Sequence, residues 1–128
     1  MEMFHHYNLK ESDIFIFDQF LIIQIKEGVL VNMPHEEELN DIIQKHFKGK
    51  DMVYISNRVN SYAVNPLIYP ETEKILNLVA IAIVPKTQKM RSNAEFERKF
   101  YNKPYGVFDT LSLAIEWVHT VIDKNYEP

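Results

Sequence analysis

The stretch "LVAIAIV" (Leu78–Val84) decides the fold. Neither its odd nor its even positions are polar, so a strand here must be covered on both faces, the pattern of a central strand in an α/β sheet. It is also far too short to span a membrane. Upstream of it lies "DMVYIS" (Asp51–Ser56), a second buried strand, followed by the abruptly polar "NRVNSYAV" and a short helix within "NPLIYPETEKILN". Further upstream, "NMPHEEELNDIIQKHFKGK" (Asn32–Lys50) is the clearest helix. Pro34 suits its first turn, acids at 36–38 favour its positive end, Lys45 and Lys48 its other end, and Gly49 stops it. Leu39, Ile42, Ile43 and Phe47 form one stripe, so one face of this helix is core.

At the N-terminal side, "DIFIFDQFLIIQIKEG" (Asp13–Gly28) is rich in β-branched and aromatic residues, with "DQF" as a tight turn between two adjacent strands. Downstream of the central strand, "KTQKMRSNAEFERKF" (Lys86–Phe100) is a third helix, in which Ser92 and Glu95 have capping-box spacing. A short strand "YGVF" and the helix "DTLSLAIEWVHTVI" follow, with Asp109 or Thr110 as cap and Leu111, Ala114, Ile115, Val118, Val121 and Ile122 facing inward. The order β-β-α-β-α-β-α-β-α predicts an α/β fold with a mixed, mostly parallel five-stranded sheet and helices packed on it. No repeat, linker or low-complexity segment divides residues 1–128, so one domain is expected.

Composition narrows the function. Fourteen basic against 18 acidic residues give a net charge of −4, which argues against nucleic acid as a partner. The absence of cysteine removes thiolate catalysis, disulfides and cysteine-ligated metals. Three glycines, Gly28, Gly49 and Gly106, are too few for dinucleotide or Walker-type phosphate loops. "HEEEL" at His35 is not a zinc-protease motif, because Leu39 stands where the second histidine belongs. His35 and His46 lie about three turns apart on one helix, His5 and His6 fall in a terminus read as frayed, and His119 stands alone. No metal or other cofactor is therefore expected. The acids and histidines of the first residues do not form a signal peptide, so a soluble, cytoplasmic protein without a membrane span is expected.

The C-terminal "GVFDTLSLAIEWV" (Gly106–Val118), with Phe108, Ala114 and Trp117, resembles the ending of small bacterial SpoIIAA-like (STAS/SEC14-type) domains, and the element order is that of the STAS superfamily. The resemblance implies a non-catalytic regulatory or interaction module that binds a protein partner. In classical members a serine in an Asp-Ser-Ser-Gly-type motif, opening the helix after the third strand, is phosphorylated. Here Val64, Asn65 and Pro66 fill that place, and Ser61 lies a few residues before it. SEC14-type relatives imply the alternative, a carrier of a small anionic or lipid-like ligand.

Two candidate surfaces follow. Ligands of open α/β sheets bind beyond the carboxyl ends of the strands, where Ser56, Asn57, Arg58, Asn60 and Ser61 are expected. Arg58 there would hold a carboxylate or phosphate in a bidentate fork, or be a solvated residue of a connector. In the third helix region, Arg91, Phe96, Phe100 and Tyr101 form a candidate partner surface; for the carrier, Phe96, Phe100 and Tyr101 are instead the wall of an apolar pocket anchored by Arg58. No catalytic residue is assigned; an enzyme using Tyr54, Tyr62 or His119 as acid or base ranks last. An exposed edge near the N-terminal strand pair would allow a homodimer.

Overall fold

The computed structural model describes residues 2–126. The chain begins with β1 (His5–Asn8), β2 (Ser12–Ile16) and β3 (Phe20–Ile25), an antiparallel meander. After a two-residue β4 (Leu30–Val31) comes α1 (Met33–Phe47), then β5 (Met52–Arg58) and a two-residue β6 (Ala63–Val64). A 3₁₀ turn at Pro66–Ile68 leads into α2 (Tyr69–Glu73), followed by β7 (Leu78–Pro85), α3 (Gln88–Glu97), a 3₁₀ turn at Arg98–Phe100, β8 (Tyr105–Val107) and α4 (Leu111–Tyr126). The main sheet has six strands in the order β1-β2-β3-β5-β7-β8, with β3, β5, β7 and β8 mutually parallel. The expected five-stranded sheet is corrected by β1: the histidine-bearing segment read as frayed is the edge strand, paired along its length with β2. β4 and β6 pair in parallel as a separate small sheet.

Leu78–Val84 lies in β7, and its alternation divides the core. Ile81 and Ile83 join Leu39, Ile42, Ile43 and Phe47 of α1, Ile68 and Tyr69 at α2, and Ala94 of α3. Ala80, Ala82 and Val84 face Ala114, Val118 and Ile122 of α4, together with Val53 and Ile55 of β5. Small residues on that side let a single helix lie close to the sheet. The C-terminal pattern has a packing role: the Phe108 and Trp117 rings lie 5.2 Å apart, and a Cβ added at Gly106 would meet the Phe108 ring at 2.5 Å. Only glycine leaves room for that ring to fold back over the sheet edge. Thr110 caps α4, its hydroxyl accepting from the Leu113 N–H at 3.2 Å, while Asp109 pairs with Arg91. α3 starts earlier than the capping-box spacing predicts, because Thr87 supplies the cap by accepting from the Met90 N–H. Among the described residues no helix is long and apolar enough to cross a membrane.

Candidate functional site

The carboxyl ends of β3 and β5 do not open directly to solvent. The chain leaves β3 through Gly28 (φ +78°) into β4, and leaves β5 through Asn60–Tyr62 into β6. Gly28 adopts the left-handed backbone that this turn requires. Gly28 donates to the Ser61 carbonyl, Ala63 to Val29 and Asn65 to Val31, so the two segments form one small roof. The Asn65 amide also donates to the Asn32 side chain at 3.0 Å, fastening the far end. Between this roof and α3 lies an open groove of about 540 Å³, walled by Gly28–Leu30, Ser61–Val64 and Pro66 on one side and by Lys89, Asn93 and Phe96 on the other. Leu30 (55% exposed), from β4, and Phe96 (54% exposed), from α3, both line it. Large apolar side chains left this open within one concavity mark a binding surface more often than a scattered exposed leucine does.

The groove's deepest charged residue is Glu97, and beneath it lies a polar cluster built into the core. Arg58 is 5% exposed and Glu97 6%. Arg58 donates through Nη1 to Oε2 of Glu97 at 2.9 Å and through Nη2 to Oε1 at 2.6 Å, and the Tyr69 hydroxyl donates to the same Oε1 at 2.5 Å. Burial opposes the guanidinium charge, but the hydrogen bonds and charge of Glu97 prevail and hold its pKa above the ordinary arginine value. Arg58 is therefore a fixed cation whose fork is already filled. The Ser56 hydroxyl pairs with that of Tyr62 at 2.8 Å, and Tyr62 lies under the Arg58 guanidinium, 5.4 Å from centroid to Cζ. Burial raises the phenol pKa values of Tyr54, Tyr62 and Tyr69, so all three stay protonated at neutral pH. The interior space beside this cluster is about 20 Å³, room for about one water. Nε of Arg58 is buried there without a hydrogen-bond partner among the described residues.

The structure relocates several expected residues. The strand expected to end at Ser56 continues through Asn57 and Arg58 as β5, and Ser56 and Arg58 are buried; the solvated Arg58 is thus corrected by the Glu97 pair. Asn60 anchors the loop by donating to the Ile25 carbonyl at 3.1 Å. Ser61 is exposed on the groove wall, and its N–H donates to the Glu27 carboxylate. On the α3 side Phe96 is exposed and packs on half-buried Phe100 at 5.6 Å, but Tyr101 is a core residue, which corrects its placement on the partner surface. Arg91 is engaged by Asp109. Sequence reasoning missed Glu97, which lies 39 residues from Arg58 along the chain, and Tyr69, 28 residues before Glu97; both reach the cluster only through the fold.

This arrangement defines an α/β protein with a SpoIIAA-like fold. The chain is similar to the crystal structure of an uncharacterised protein from the DUF3478 family with a SpoIIAA-like fold, from Shewanella loihica PV-4; the match has a TM-score of 0.53 at 10% identity and covers 91% of this chain and 92% of that one. No family model matches the sequence, and no curated protein does either.

Proposed function

We propose that this chain is a regulatory or interaction module that works by binding a partner protein in the groove between the β4–β6 roof and α3, and not by catalysis. The observation that carries the proposal is the pair of exposed apolar residues, Leu30 and Phe96, lining one concavity in which the buried Glu97 is already neutralised by Arg58 beneath it. The occupant best matched to it is an apolar side chain flanked by acidic residues. Lys89 lines the groove, and Lys99 stands over the Phe96 ring with Nζ at 5.5 Å; neither forms an ion pair among the described residues. The nearest carboxylate on the other wall, Glu27, is taken up by the Ser61 N–H.

The second reading is the small-ligand carrier, and the buried free Nε of Arg58 is what favours it. A carrier needs a cavity of a few hundred Å³, whereas the enclosed space at that nitrogen is about 20 Å³.

The test is a photo-crosslinking residue placed at Phe96 and, as a control on the opposite layer, at Glu116, both in the source cells. A single protein trapped from position 96 but not 116, and bound by the purified chain with at least tenfold loss on Leu30→Ser or Phe96→Ser, supports the proposal. Equal trapping from both positions, or none, overturns it. A small molecule retained in native mass spectrometry and lost on Arg58→Ala would transfer the assignment to the carrier.

A further inference from the structure

We propose that β1 is a self-pairing edge, by which two copies of this chain join antiparallel into one continuous sheet. The register of β1 against β2 shows which backbone groups are free. Leu9 donates to the Ser12 carbonyl, and β1 and β2 partners sum to the same register throughout (Tyr7 with Ile14, His5 with Ile16). In an antiparallel ladder hydrogen-bonded and non-hydrogen-bonded pairs alternate. The main-chain groups of His5, Tyr7 and Leu9 therefore point at β2, and those of His6 and Asn8 point outward. The β2–β3 side agrees: Phe17 donates to Phe20, so the odd residues of β2 face β3 and the even ones face β1. The outward N–H and C=O groups of His6 and Asn8 bond to nothing among the described residues.

Sheet proteins ordinarily guard such an edge with lysine, proline or a bulge. β1 reads "HHYN" and has neither lysine nor proline; its one irregularity, the Phe4 N–H that also reaches Ile16, lies at its start. The layer beside it is also thinly covered. α4 packs over β3, β5 and β7, and toward β1 the same face carries half-buried Phe15, stacked on the His6 ring at 4.5 Å, with Phe4 59% exposed. A second copy extends cover over this margin.

The occupant is a second copy because this edge is complementary to itself. Antiparallel pairing about a two-fold axis at Tyr7 sets His6 against Asn8 of the other copy and uses every outward group, giving four hydrogen bonds. An axis at His6 gives two between the His6 residues, and its next pair, Phe4 with Asn8, is left incomplete because the Phe4 N–H already donates to Ile16. Tyr7 then faces its own counterpart in a non-hydrogen-bonded pair. That geometry puts the two Cα atoms about 4.5 Å apart, within the span of a disulfide.

The chain has no cysteine, so the register can be tested directly. Sedimentation of the intact chain between about 1 and 100 µM is expected to give twice the chain mass at the upper end. His6→Pro removes one outward N–H per copy and is tolerated on an edge strand; it is expected to weaken dimerisation at least tenfold while the circular dichroism spectrum is unchanged. Tyr7→Cys is expected to form a disulfide dimer in air, and Asn8→Cys, which faces His6, is not. A monomer at every concentration overturns the proposal. So does a dimer that His6→Pro leaves intact, or one in which Asn8→Cys crosslinks and Tyr7→Cys does not. If Tyr7→Cys or His6→Pro fails to fold, Asn8→Lys, which sets a charge at the free edge, replaces it and must likewise weaken the dimer. The groove variants Leu30→Ser and Phe96→Ser leave this association unchanged, which separates it from partner binding.

Discussion

The two layers of the sheet are built differently. Under α4 the buried contact is hydrocarbon: Val53, Ile55, Ala80, Ala82 and Val84 of the sheet meet Ala114, Val118 and Ile122. Under α1–α3 the core is larger but carries buried polar groups, with Arg58 and Tyr69 on Glu97, Ser56 on Tyr62, and Thr72 on Glu36. A hydrocarbon layer is the simpler solution for stability, because a buried ion pair rarely outperforms apolar residues of the same volume. The costlier layer lies directly beneath the groove. Its polar groups fix the positions of β5, α2 and α3 relative to one another and so hold the groove's walls in place.

Several substitutions would break or sharpen this contrast. The largest effect is expected from Glu97→Ala, which strands the Arg58 charge and frees the Tyr69 hydroxyl; a loss of about 3–5 kcal/mol in chemical denaturation is expected. Replacing both partners, as Arg58→Met with Glu97→Leu, is expected to restore most of that stability or exceed it. It should still weaken partner binding if the pair serves to position α3, and equal binding by the double variant would remove that role. In the α4 layer, Ala114→Leu has no polar consequence and acts only by overpacking a fully buried site, with about 1–3 kcal/mol expected from thermal unfolding.

A smaller effect, with a sign that depends on pH, is expected at Glu36. Burial raises its pKa above the ordinary carboxylate value, against the hydrogen bond donated by Thr72 at 2.7 Å. The folded chain therefore holds this proton when the unfolded chain has released it, and stability falls as pH rises through and just above the ordinary glutamate range. Glu36→Gln is thus expected to raise the melting temperature at pH 7 and to make no difference at pH 3; a variant less stable at both values would contradict this. The smallest effect on stability is expected from Phe96→Ser, within about 0.5 kcal/mol, because its side chain is exposed. Its consequence should appear in partner binding alone.

The residues whose surroundings differ from the sequence expectation share a physical cause. Asn57–Arg58 look like the start of a loop because they are polar, yet β5 continues through them to pair with Val84 and Pro85 of β7. A polar residue reads as exposed unless its partner is known, and Glu97 sits 39 positions away in a helix crowded with other charges. Tyr101 resembles the aromatic residues before it, but the 3₁₀ turn at Arg98–Phe100 breaks the helical periodicity and swings its ring into the core. Ser61 lies near the sheet's carboxyl end, as its place after β5 implies, but the roof it helps to build leaves no sequence signal, because two-residue strands have no periodicity of their own.

What the sequence determined by itself is whatever local pattern dictates. The doubly apolar Leu78–Val84 required cover on both faces, the stripe of α1 chose its buried side, and Gly106, Phe108, Ala114 and Trp117 specified the closing strand and helix. These follow from periodicity and side-chain volume within a few turns of chain. Only the tertiary structure decided that Arg58 is paired, that Leu30 and Phe96 line one groove, and that His5–Asn8 is an open edge. Each depends on which distant segment arrives alongside, and pairwise electrostatics and strand order between remote segments leave no mark on local composition.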